Sequence, residues 1–203
     1  MKRLLAIVEG EGDLKAVPEL LRRILHHHNC FDVQVLAHKR GDLPKVLANF
    51  ENVFKMAVKE DAAILLLLDF DCKNCACVVQ SAEPFYKKVE DLRPDWAFKV
   101  AFMVKEFETL FLADRNATRS VLKDIPEMTN FPADPESVRG AKEWLSKAMP
   151  SGIAYKETVH QVKIVSQLDL NHLRTHSPSY RHLEKALLSL LGIAPVQNQE
   201  IKT

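Results

Sequence analysis

Four leucines in succession, Leu65-Leu66-Leu67-Leu68, followed at once by Asp69-Phe70-Asp71, restrict what this chain can fold into more than any other segment. A short run that apolar fits a strand covered on both faces, and such strands belong to parallel sheets flanked by helices. Side chains alternate along a strand, so Asp69 and Asp71 are expected to leave its end on one face. Two carboxylates beside a dry core either raise a pKa or recruit a cation. An all-oxygen donor set of this kind suits Mg²⁺ or Mn²⁺, and a divalent-metal site is the first expectation.

The surrounding sequence supplies neighbours for that strand. An apolar run over 4–8 closes at Glu9-Gly10-Glu11-Gly12-Asp13, after which Ala16, Val17, Leu20, Leu21, Ile24 and Leu25 recur at helical spacing. Residues 31–37 alternate as a second strand, and Leu43, Val46, Leu47, Phe50, Phe54 and Val58 mark an amphipathic helix over 43–59. Beyond the leucine strand come a helix over 82–92, a strand over 96–104 and a helix begun at 107–113. Strands alternating with helices predict β-α-β units, hence an α/β chain with a Rossmann-like, mostly parallel sheet of four or slightly more strands.

The second half is less regular. Residues 1–113 are expected to form the α/β core. Residues 114–136, with Pro126, Pro132 and Pro135, read as a loop or insertion. Helices over 137–149 (N-capped by Ser137), 159–168 and 179–191 form a helical part, 137–194, packed on the core in a single domain, and 195–203 is a frayed tail.

With 203 residues, 47% hydrophobic, and a formal net charge of +1, the chain can bury a full core but has no overall attraction for nucleic acid. Any such binding needs a local basic patch or a bound metal. The apolar stretch after Met1-Lys2-Arg3 stops at Glu9, too short for a signal peptide, and no segment approaches a membrane span. A cytoplasmic protein is expected.

Ligands of open parallel sheets sit outside the carboxyl ends of the strands, where Glu9, Asp69 and Asp71 all fall. Gly10 and Gly12 are expected to let the backbone turn sharply there. A phosphate loop would also use glycines before a helix, but this one carries three acids, so a metal bridging to phosphate fits better than direct phosphate binding.

Val8-Glu9-Gly10 before a helix, with a hydrophobic strand ending in Asp69-Phe70-Asp71, resembles the TOPRIM catalytic core shared by topoisomerases, primases and OLD-type nucleases. Most of the chain resembles a bacterial TOPRIM-like domain family of unknown function. That resemblance is carried by residues 8–13 and 16–23, by Glu106-Phe107-Glu108-Thr109-Leu110-Phe111-Leu112-Ala113, by Arg139-Gly140-Ala141-Lys142, by Tyr155-Lys156 and by Ser177-Pro178-Ser179-Tyr180. It implies a TOPRIM core in which Glu9, Asp69 and Asp71 hold Mg²⁺ or Mn²⁺. Asp13 stands where OLD-type relatives carry a further acid, and Glu106 and Glu108 are candidates for a second metal. The implied chemistry is hydrolysis of DNA or RNA phosphodiesters in a phage-defence or DNA-processing system. Lys105 and Lys142 would be catalytic cations, and Gly10, Gly12 and Lys156 would contact substrate. An ABC-type ATPase encoded nearby is implied as a partner, since no Gly-x-x-x-x-Gly-Lys-Ser/Thr occurs in the sequence.

Each residue also has a plainer explanation. Asp69 and Asp71 would cap or solubilise a strand end. Glu11, Asp13, Glu106 and Glu108 would be helix-start charges, with capping favoured for Asp13, and the lysines would be solvated. Cys72-x-x-Cys75-x-Cys77, with Cys30 and His26-His27-His28, is half a zinc motif, so unpaired thiols are expected rather than zinc. The histidines then simply end the first helix. Two other classes stay open: a non-catalytic metal-binding regulatory module acting with an ATPase, and a nucleotide-sugar transferase whose Asp-x-Asp holds Mn²⁺. A haloacid-dehalogenase-like phosphatase is disfavoured, because Lys73 stands where its Thr belongs.

Overall fold

Leu65 and Leu67 pack into one hydrophobic cluster while Ile64, Leu66 and Leu68 pack into another, so the leucine run is buried on both faces as its composition demands. It forms β3 (Ala63–Phe70), the third strand of a four-stranded, all-parallel sheet in the order β2-β1-β3-β4, with β1 at Lys2–Val8, β2 at Val33–Lys39 and β4 at Phe98–Val104. This computed structural model describes residues 1–71 and 77–196. The Rossmann-like α/β expectation holds.

Each crossover between strands is helical. Helix α1 (Asp13–His27) links β1 to β2, α2 (Leu43–Ala48) and α3 (Phe50–Glu60) link β2 to β3, and α4 (Val78–Leu92) links β3 to β4. Six further helices follow: α5 (Thr109–Ala113), α6 (Arg115–Val121), α7 (Ala141–Ala148), α8 (Glu157–Val165), α9 (Leu170–His176) and α10 (Pro178–Leu191). One face of the sheet is covered by α2, α3 and α4 through Val46, Phe50, Phe54 and Phe85. The other is covered by α1 and α5 to α10, so the second half of the chain shares a core with β1, β3 and β4.

Several boundaries differ from expectation for identifiable reasons. The helix expected over 43–59 breaks at Asn49, whose side-chain amide donates to the Lys45 carbonyl and competes with the helical ladder. The second strand lies two residues later than 31–37, leaving Phe31 exposed beyond the left-handed turn at Asn29. The stretch 114–136 is not a continuous loop, since α6 occupies 115–121. It has almost no apolar periodicity to announce it. Asp114 accepts from Ala117 N–H at its start, and the Arg119 guanidinium ties the following segment down through the carbonyls of Ile125, Pro126, Glu127 and Thr129. Ser137 caps no helix; its hydroxyl donates to Asp134 O in a 3₁₀ turn, and α7 starts behind Gly140, which sits at φ 72°.

Cys72 and Cys75 lie outside the described residues, as does the tail beyond 196. The Cys77 sulfur accepts from Val79 N–H at the start of α4. His28 is committed elsewhere: its Nε2 meets Glu184 Oε1 at 3.0 Å.

Because Leu65 is wholly enclosed, Leu65→Ala is expected to lower the unfolding free energy by about 2–5 kcal/mol in urea titrations. Leu92→Ala, at a residue 45% exposed, is expected to change it by less than about 0.5 kcal/mol.

Candidate active site at the strand ends

The chain leaves β1 toward β2 but reaches β4 through β3 on the other side, so the sheet order reverses between β1 and β3. The carboxyl ends of two strands at such a switch point frame a crevice that no crossover fills. Parallel pairing of Ile7 with Leu66 brings Glu9, one residue past β1, level with the end of β3. There burial raises the Glu9 carboxyl, and the Asp69 backbone amide draws it back down. Asp69 itself shares the face of Leu65 and Leu67, and its Oδ1 accepts from Phe107 N–H at 2.9 Å.

Behind these two acids the structure assembles a cluster from α1, α5, α7, α8 and the segment leading into α8. Lys105, at φ 69°, reverses the chain after β4, and the turn carries Glu108 inward to the start of α5, where it is fully enclosed. Glu108 Oε1 accepts from Tyr155 Oη at 3.1 Å and from Gln161 Nε2 at 2.9 Å, while its Oε2 has no partner. Asp13, at the start of α1, accepts from Gly10 N–H at 2.7 Å and from the same Gln161 Nε2 at 3.2 Å. One amide from α8 thus bridges an acid at the start of α1 and one at the start of α5.

The cation of the cluster is Lys142. Its backbone N–H donates to Glu106 Oε2 at 3.2 Å, which seats the start of α7, and its Nζ meets Glu157 Oε1 at 3.1 Å. Burial works against the ammonium, but Glu108, Glu157 and Asp69 outweigh it and hold its pKa above the usual lysine value. Five carboxylates, Glu9, Asp13, Asp69, Glu108 and Glu157, share this one charge. Burial, joined by Glu108, Asp13 and Glu9, holds Asp69 well above the carboxylate range. Burial also raises Glu9 and Asp13, and pushes Glu108 to about 7 despite the opposing pull of Lys142.

The expected residues are therefore partly regrouped. Glu9, Asp13, Asp69, Glu108 and Lys142 come together. Asp71 does not follow Asp69 inward, because β3 ends at Phe70 and the alternation with it. Instead Asp71 Oδ1 is held by Arg139 Nη2 at 2.8 Å, with Lys105 Nζ at 3.8 Å. Asp69 and Asp71 do border one cleft of about 250 Å³, along with Glu9, Asp42, Leu43 and Pro44. Glu106 caps α7. Lys156 is exposed, and its backbone N–H donates to His160 Nδ1.

The two glycines act differently from the expectation of a sharp turn: neither has a positive φ. A Cβ on Gly12 would stand 2.3 Å from Gln161 Oε1 and 2.9 Å from Glu157 Cβ, so Gly12 is the point of closest approach between α1 and α8. Gly10 leaves its N–H to Asp13. Gln161, Tyr155, Arg139 and Glu157 are site residues that residue pattern alone does not single out. Their signal is that Arg139 and Tyr155 stand within short motifs of the family resemblance. Among the described residues, no three His, Cys, Asp or Glu side chains are so arranged as to hold a metal ion.

A carboxyl group whose pKa is higher folded than unfolded keeps protons the unfolded chain has lost, so its contribution declines as pH rises. For Glu108 the window runs from 4.5 to about 7. In EDTA, Glu108→Gln is therefore expected to gain stability relative to the parent as pH rises through that window, by at most about 3 kcal/mol in urea titrations. A difference that does not change with pH contradicts this assignment.

A family model for a domain of unknown function, DUF4276, matches residues 8–188, a span that includes every member of the cluster from Glu9 to Gln161. No curated protein matches the chain, and no solved structure does. The chain belongs to the DUF4276 family.

Proposed function

We propose that the chain is a divalent-metal-dependent phosphodiester hydrolase with a TOPRIM-like site, acting on DNA or RNA. One observation carries this reading: Glu108 Oε2 is buried and unpartnered in a cluster of four acids served by a single lysine. A bare carboxylate oxygen in a dry site costs on the order of 1–3 kcal/mol or more, and a cation is the direct way to remove that cost. The donors are all oxygens, which suits Mg²⁺ or Mn²⁺ and not zinc. Glu9 and Asp69 from the strand ends, with Glu108 and Asp13 behind them, are the carboxylates that would hold the ion. Bound there, it would lower the pKa of water and offset charge on a phosphoryl group.

The chain's own groups fit the rest of the task. Lys142 keeps its proton and offers positive charge where a phosphate would gain negative charge. Glu108, pushed to about 7 without a cation, would release its proton when the ion binds. Burial and Glu108 raise the Tyr155 phenol as well, so it remains a donor that orients Glu108. Arg139 and Lys105 hold Asp71 at the outer edge, where it would orient water or a second ion. The partner expected from the OLD-type resemblance is an ABC-type ATPase on another chain, and the setting a phage-defence or DNA-processing system in the cytoplasm. No described helix is long and apolar enough to cross a membrane.

Purified protein with Mn²⁺ or Mg²⁺ is expected to nick plasmid DNA or cleave labelled RNA. Asp69→Asn and Glu108→Gln each lower the rate by about 10²–10⁴ with unchanged circular dichroism. Absence of cleavage with every divalent ion at high protein concentration, or cleavage indifferent to Asp69→Asn, overturns the reading.

A further inference from the structure

Two clefts flank the acid cluster, and their charges differ in sign. The one under Glu9, Asp42, Asp69 and Asp71 is acidic. The other, about 530 Å³, opens between α7 and α8 and is lined by Lys142, Lys147 and Lys156, by Glu143 and Glu157, and by Ser146, Tyr155 and Thr158. Of the two carboxylates, Glu157 pairs with Lys142, while Glu143 stays in the cleft lining without an ion pair among the described residues. Lys147 and Lys156 have no carboxylate within salt-bridge distance among the described residues. Two hydroxyls, Ser146 and Thr158, stand between them as donors.

The floor of this cleft is the back of the acid cluster. Tyr155 lines the cleft with its ring and donates its hydroxyl to Glu108, and Lys142 lines it while carrying the charge that Glu108 and Asp69 feel. An anion arriving through the acidic cleft meets Glu9, Asp42, Asp69 and Asp71, whereas one arriving between α7 and α8 meets Lys142, Lys147 and Lys156 against Glu143 and Glu157, a net positive lining. Near-zero net charge gives no general attraction, so a local basic path of this kind is what a polyanion requires.

We infer that the α7–α8 cleft binds phosphates of the substrate strand next to the one presented to the acid cluster, with Lys147 and Lys156 as the phosphate-binding side chains and Lys142 at the junction. This rests on the phosphodiesterase reading for the identity of the strand, but the binding step needs no metal and no turnover. The ligand chemistry is a run of phosphates, available from a nucleic-acid strand or from a compact pyrophosphate.

Binding is measured by fluorescence anisotropy with a short labelled oligothymidylate, in EDTA so that no cleavage occurs, with inorganic pyrophosphate as the alternative ligand. Lys147→Glu with Lys156→Glu is expected to weaken oligonucleotide binding by roughly 10–100-fold and to flatten the log–log salt dependence by about 1.4, near 0.7 for each phosphate no longer neutralised by a lysine. Lys55→Glu with Lys59→Glu, an equal charge change at exposed positions of α3 across the sheet, is expected to leave affinity nearly unchanged. Pyrophosphate binding that disappears in the first variant, without oligonucleotide binding, also supports the cleft and names a compact ligand. Binding of neither probe, or equal weakening in the two double variants, overturns the inference. Cleavage failing while cleft-dependent binding persists would sink the hydrolase reading alone.

Discussion

A carboxylate with one bare oxygen, Glu108, sits at the centre of this molecule, and the arrangement around it follows from keeping it there. Tyr155 and Gln161 donate to one of its oxygens; no described residue donates to the other. The nearest positive charge, Lys142, is shared with Asp69 and Glu157. Left in water, these acids would be independent and ordinary. Packed behind the strand ends, each raises the proton affinity of the next, so the cluster keeps protons that the same acids would lose in water. Stability concedes something here so that a charge-deficient site can exist, as functional sites commonly require.

The sheet makes that concession possible. Reversal of strand order between β1 and β3 opens a crevice at their carboxyl ends, and the parallel register brings Glu9 and Asp69 to it without any long loop. The second half of the chain then closes the back. Helix α8 approaches α1 closely enough that only glycine fits at position 12, and that contact puts the Gln161 amide between Asp13 and Glu108. The C-terminal helices therefore contribute to the site itself as well as to the core. Their outer surface adds the second element, a basic cleft whose floor is the cluster's own Lys142 and Tyr155.

The sheet was legible because its signals are local: an unbroken apolar run can be little else than a doubly covered strand, and Glu9 and Asp69 each stand next to such a run. Asp71 borders the same cleft as Glu9 and Asp69, but it lies one residue past the end of β3, where its pairing with Arg139 replaces strand alternation. The depth of Glu108 was not legible at all. Its partners lie 47 and 53 residues further along the chain, just before and within α8, whose position depends on tertiary packing. Helix α6 was missed for the opposite reason, since Asp114 and Arg119 stabilise it where hydrophobic spacing is nearly absent. Gly10 and Gly12 carried a true signal with the wrong cause, close approach rather than an unusual backbone angle.

The central claim is that the unsatisfied acids around Glu108 are a cation site. Anomalous diffraction at the manganese edge from crystals equilibrated with Mn²⁺ tests it most directly. The predicted result is a peak within coordination distance of Glu9, Asp69 and Glu108 Oε2. A map with no peak there, or one in which Mn²⁺ lies only beside Asp71 while Glu108 Oε2 is satisfied by water, would contradict it.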